Sequence, residues 1–260
     1  MENLLTEKKR IHLLDEIRGF AVFCMVIYHG FFIAGEVFGI EAGTKAFEFF
    51  MPVEPLYACI FIFICGLSCS LSRSNLKRGL KVAGTAAAFT LVTCLILPAL
   101  GITGLEIYFG ILHFLGACIL LYSVTEKKVK RINPYAGILV CAVLFPFFAG
   151  IEKGTLNYGN IIVFNLPDFL YRTNYLMPLG FYNNEFGSAD YFPIFPDIFV
   201  FFAGVFTGII MKAKGFPEYS YKARIPFFGF LGRKAFIIYI VHMPVIYVVL
   251  YGIELIINHI

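Results

Sequence analysis

Apolar runs long enough to cross a lipid bilayer recur along the whole chain, near residues 18–37, 55–72, 80–100, 105–124, 134–150, 194–211 and 235–256. A helix spans the hydrocarbon layer with about 20 apolar residues, and only helices or closed barrels satisfy their backbone there. With 59% hydrophobic and 15% charged residues, against about 25% charged in soluble domains, the chain reads as an all-α integral membrane protein. It is expected to form one domain over residues 1–260, a bundle of about seven transmembrane helices. The first run follows eighteen mostly polar residues without a small-residue cleavage site, so this segment is expected to be retained rather than removed as a signal peptide.

The basic residues set an orientation. Lys8, Lys9, Arg10 and Arg18 precede the first run, and Arg73, Lys77, Arg78 and Lys81 follow the second. Lys127, Lys128, Lys130 and Arg131 follow the fourth, and Lys212, Lys214, Lys222, Arg224, Arg233 and Lys234 follow the sixth. Alternation thus gathers 18 of the 21 basic residues on one side and leaves Lys45, Lys153 and Arg172 on the other. By the positive-inside rule the N-terminus is expected in the cytoplasm and the C-terminus outside. A long outer loop, rich in Asn, Gly, Tyr and Pro, joins the fifth and sixth helices as an extended loop or re-entrant cap. Its apolar piece Ile161–Leu166 is too short to cross. Multi-pass residence in the cell membrane follows, with the lipid bilayer as a partner and no nucleic-acid partner; self-association stays open.

Arg18 and His29 lie eleven residues apart, three turns plus roughly 20°, on one face of the first helix and about 16 Å apart along it. Asp15 shares that stripe, three residues before Arg18 and close enough to pair. His113, in "YFGILHFLGA", and His242, in "IIYIVHMPVIY", also lie within apolar runs. Ionisable groups there are costly and face the bundle interior or a polar cavity, and imidazole exchanges a proton near neutral pH. Each histidine could instead serve as a neutral hydrogen-bonding group between helices. Asp197, after Pro193 and Pro196, falls at the start of the sixth helix, as a cap or as a functional carboxylate. The seven cysteines all lie in apolar runs and are expected as free thiols. Phosphate-loop, nucleophile-elbow and metal-ligand signatures are absent, so no metal is expected.

Four stretches carry a family resemblance. "RIHLLDEIRGFAVFCMVIYHG" resembles the first helix of the transmembrane acyltransferases, with its Leu-Asp-x-x-Arg-Gly and a deeper histidine. "FGILHFLGA" and "DYFPIFPDIFVFFAGVFTG" resemble later signatures of the heparan-alpha-glucosaminide N-acetyltransferase catalytic domain family and its bacterial relatives, and "FLGRKAFIIYIVHMPV" resembles a shared final-helix signature. The resemblance implies transfer of an acetyl group from cytosolic acetyl-CoA to an amine or hydroxyl of an amino sugar, glycan or small acceptor on the far side. It implies His29, His113, His242 and Asp197 as catalytic candidates, and Arg18, Asp15, Arg233 and Lys234 as acyl-CoA-binding candidates. The chain departs from that branch at two places. Its lysosomal members have asparagine where His29 stands and a histidine farther on, yet residues 35–54 contain none. Asp197 also replaces a usual tryptophan. The competing expectation is a seven-helix transporter or proton-coupled carrier using the same histidines, against which stands the lack of an inverted repeat.

Overall fold

A computed structural model describes residues 10–101 and 103–258; Lys8 and Lys9, used above for orientation, and the last residue, Ile260, lie outside the described residues. The chain is mostly helical. Helix α1 (His12–Phe32) is prolonged by a π-helical turn (Ile33–Val37), and α2 (Glu41–Phe50) leads through a tight turn to α3 (Glu54–Leu71). Helix α4 (Asn75–Leu91) continues through a π-helical turn into the short α5 (Leu97–Ala99). Then come α6 (Ile111–Val129), α7 (Pro134–Phe148), the strands β1 (Thr155–Tyr158) and β2 (Ile161–Asn165), α8 (Ile198–Lys214) and α9 (Pro226–Asn258).

Among the described residues, five stretches are long and apolar enough to cross a membrane: His12–Val37, Glu41–Leu71, Asn75–Ala99, Pro134–Lys153 and Pro226–Ile256. Helices α6 and α8 occupy the expected fourth and sixth runs but are shorter or more charged at one end. Two boundaries differ in a consequential way. The fourth run was expected from residue 105, yet the helix begins at Ile111, because Gly104 takes a positive φ of 85° and residues 105–110 stay extended. The segment expected as an extended loop or re-entrant cap holds an antiparallel β-hairpin, so the fold is not purely α.

The described chain divides into two compact units, Met1–Ile64 with Gly215–Ile260, and Cys65–Lys214. In the first, α1 packs along α9 at a glycine crossing. A Cβ on Gly19 would stand 1.8 Å from the Phe228 carbonyl oxygen, and one on Gly232 would stand 1.8 Å from that of Asp15. Small residues of this kind let membrane helices touch backbone to backbone. Glu16, buried on α1, accepts from the backbone N–H groups of Arg224 (2.7 Å) and Ile225 (3.0 Å). One carboxylate thereby satisfies donors that Pro226 and the start of α9 would leave orphaned.

The second unit follows the same packing rule. Gly66 of α3 meets the Phe201 backbone of α8, and Gly116 of α6 meets Ala83 of α4. Cys24, Cys65, Cys69, Cys94, Cys118 and Cys141 are thiols rather than disulfide partners. In the segment after the hairpin, Tyr182 donates to Glu152 at 2.9 Å. Burial, followed by the Glu152 charge, pushes its phenol up to about 12, so it remains a donor.

Candidate active site

The crossing at Gly19 and Gly232 sets the register of everything beyond it on α1 and α9. His29 lies ten residues after Gly19, and His242 ten residues after Gly232. Both helices therefore travel about 15 Å from the crossing to their histidine. They must run parallel for the two rings to meet, and the rings do meet: His29 Nδ1 and His242 Nε2 are 3.0 Å apart.

The bonding pattern assigns the protons. His242 Nδ1 lies 2.7 Å from the Tyr239 carbonyl oxygen, which can only accept, so that nitrogen carries hydrogen. In a neutral ring the other nitrogen, Nε2, is then an acceptor, and His29 Nδ1 must donate to it. His29 is left with an unprotonated Nε2. His242 thus holds the His29 tautomer and is itself held by a backbone carbonyl. His242 is buried and His29 half-buried.

At the other end of the same helices stands a charged group. Asp15, nearly buried, takes Arg10 Nε at 2.8 Å and Arg18 Nη1 at 3.2 Å. The expected Asp15–Arg18 pair is present. Arg18 directly precedes Gly19, and Arg233 directly follows Gly232, so the crossing puts the two arginine positions at one level. Arg233 and Lys234 are exposed, with the Arg233 guanidinium 5.9 Å from the Phe230 ring centre.

His113 belongs to the other unit and has a different environment. Expected near mid-span, it sits in the first turn of α6. Its Nδ1 accepts from Gly110 N–H at 3.2 Å, so Nε2 carries hydrogen and donates to Thr90 Oγ1 at 2.9 Å. Thr90 in turn donates to the Ile107 carbonyl at 2.9 Å, while Thr93 Oγ1 accepts from Ile107 N–H at 3.1 Å. Both ring nitrogens are thus spent in tying residues 107–110 to α4. Asp190 completes the device: its Oδ2 accepts from Ile111 N–H at 3.2 Å and fills the space that a side chain at position 110 would need. It is an N-cap supplied from 79 residues away. Asp197 stands at the start of α8, where its carbonyl accepts from Phe201 N–H at 3.1 Å.

Sequence reasoning missed Glu16 and the glycine crossing. A signal for the latter existed: "GFAVFCMVIYH" and "GRKAFIIYIVH" place glycine and histidine at one spacing.

The family model for the heparan-alpha-glucosaminide N-acetyltransferase catalytic domain matches residues 10–244. The chain belongs to this family. The match runs from Arg10, ahead of α1, past His242 in α9, so both histidines of the pair lie inside it. As a member of the heparan-alpha-glucosaminide N-acetyltransferase catalytic family the protein is acetyltransferase-like, and its apolar helices make it a membrane protein. No curated protein and no solved structure matches the chain.

Proposed function

We propose that the protein transfers an acetyl group from cytosolic acetyl-CoA to an amine or hydroxyl of an amino sugar, glycan or small acceptor on the outer side of the cell membrane, with His29 as general base. The observation that carries this reading is the His29–His242 pair, which leaves one unprotonated imidazole nitrogen in an apolar bundle. Attack of the acceptor on the thioester carbonyl needs its N–H or O–H proton removed as the new bond forms. His29 Nε2 takes that proton. The imidazolium charge is then shared through Nδ1–H toward His242, which the Tyr239 carbonyl keeps in place. The coenzyme thiolate leaves as the carbonyl re-forms and takes up a proton.

The acyl-CoA phosphates are assigned to the level of Arg18, Arg233 and Lys234, with Asp15 holding Arg18 in position. An extended pantetheine arm suits the ~15 Å between that level and the histidines. His113 and Asp197 are assigned positioning roles, because His113 has no lone pair to spare. The orientation proposed with this reading has seven crossings, the N-terminus in the cytoplasm and the C-terminus outside. The parallel course of α1 and α9 supports an odd number of crossings.

Purified protein should bind radiolabelled acetyl-CoA saturably and pass the label to one member of a panel of amino sugars and small amines. Absence of saturable binding would overturn the reading.

A further inference from the structure

The hairpin that follows α7 turns back along it. Thr155 N–H donates to the Gly150 carbonyl at 3.1 Å, just past the helix end. Three residues later Tyr158 packs on Phe147 (5.4 Å between ring centres), and its hydroxyl donates to the Val143 carbonyl at 3.1 Å. Strand β1 therefore descends beside α7, by about 10 Å for three residues of strand. The layer between bulk water and hydrocarbon is roughly 5–8 Å deep on each side of a bilayer. The tip of the hairpin, expected from sequence as outer loop, thus reaches to the depth of the last turns of a helix long and apolar enough to span.

Strand β2 then climbs back with its side chains uncovered. Ile161, Ile162, Val163 and Phe164 are 70%, 57%, 56% and 55% exposed. Phe164 pairs with Leu156 and Ile162 with Asn157, with a bulge at Val163 between them, so Ile162 and Phe164 lie on opposite faces of the strand. In water, four consecutive exposed apolar residues on an edge strand invite aggregation. A protein partner laid against one face would leave the other bare, whereas lipid covers both. The neighbouring helix supplies continuity, since Leu139, Val140 and Val143 of α7 are exposed as well. Depth is bounded from the other direction. The outer edge of β2 needs water for its backbone groups, which the hydrocarbon centre lacks, and the tip is polar, with Asn157 Nδ2 donating to the Gly159 carbonyl at 2.8 Å.

We propose that the β1–β2 hairpin is a re-entrant lipid-contacting element, lying at the boundary of headgroups and acyl chains in the leaflet that holds the carboxyl end of α7. It anchors the long segment joining α7 to α8 against the membrane surface. The inference does not depend on the acetyl-transfer reading.

The chain contains no tryptophan, so one introduced residue reports alone. Ile162→Trp and Phe164→Trp, made separately, probe the two faces of β2. Val140→Trp on α7 is the lipid reference, and Tyr175→Trp, at a position 89% exposed, is the water reference. In nanodiscs containing phospholipid brominated near the glycerol end of the acyl chains, both strand variants should emit to the blue of Tyr175→Trp. They should be quenched to the extent of Val140→Trp, with little effect of aqueous iodide. Iodide quenching equal to that of Tyr175→Trp, without quenching by the brominated lipid, would overturn the proposal. So would shielding from both quenchers that disappears in nanodiscs holding one copy, which would assign the strand to contact between copies. The aromatic exchange Phe164→Trp keeps the test available if Ile162→Trp fails to fold.

Discussion

A neutral imidazole within an apolar helix bundle has a purpose only through what its two nitrogens meet, and the three histidines differ in this respect. His29→Ala should leave acetyl-CoA binding nearly intact and lower the transfer rate by roughly 10²–10⁴, the usual worth of a general base. Wild-type transfer by folded His29→Ala protein would remove the base from this pair. His242→Ala should cost less, because His242 positions its partner rather than touching substrate. The double variant should be no slower than His29→Ala alone, since the two act as one unit. Transfer should also fall on the acid side, where a protonated His29 has no lone pair to offer. At the other end, Arg18→Ala should weaken acetyl-CoA binding strongly and Arg18→Lys should restore part of it, because an ammonium does not reproduce the guanidinium fork; equal binding by all three would reduce Arg18 to a structural partner of Asp15. At this scale the sequence was informative for α1. The i, i+3 spacing announces the Asp15–Arg18 pair, and the periodicity puts His29 on the same stripe. It was uninformative for His113, whose place at a helix start depends on Gly104 and on Asp190, a residue far along the chain.

Among the elements, α1 and α9 depend on an approach that no side chain tolerates. Gly19→Val or Gly232→Val should force the helices apart, abolish transfer and lower the melting temperature in detergent. A variant at either position that keeps both wild-type melting and transfer would contradict the crossing. Glu16→Ala should destabilise the protein by about 0.5–2 kcal/mol, the range for a lost helix N-cap. Glu16→Gln should cost less, because its amide oxygen still accepts from residues 224 and 225; thermal unfolding separates the two. The helices themselves were legible from apolar runs and basic punctuation, yet their ends were not. Helix α9 starts nine residues before the apolar run at 235, because the Glu16 carboxylate of another helix makes that start favourable. The hairpin was hidden for a different reason. A short apolar piece such as "IIVFN" has no period that separates strand from loop, and what makes it a strand is its antiparallel pairing with β1.

For the molecule as a whole, orientation is the property that a labelling experiment reads directly. With one crossing through α7 between them, cysteines introduced at Lys130 and Tyr175 should react with an impermeant maleimide from opposite sides of the membrane. Reaction of both from one side would overturn the proposed topology. The described residues gather into two compact units, one of which joins the two ends of the chain. That closure has a consequence for how the protein is made. The bond between His29 and His242 joins residues 213 positions apart, so at about 5–20 residues per second the first histidine waits roughly 10–40 s for its partner to leave the ribosome. During synthesis, and in any chain cut short before α9, His29 lacks the neighbour that fixes its tautomer. On the proposed mechanism, full activity toward the thioester should therefore appear only once the final helix is made.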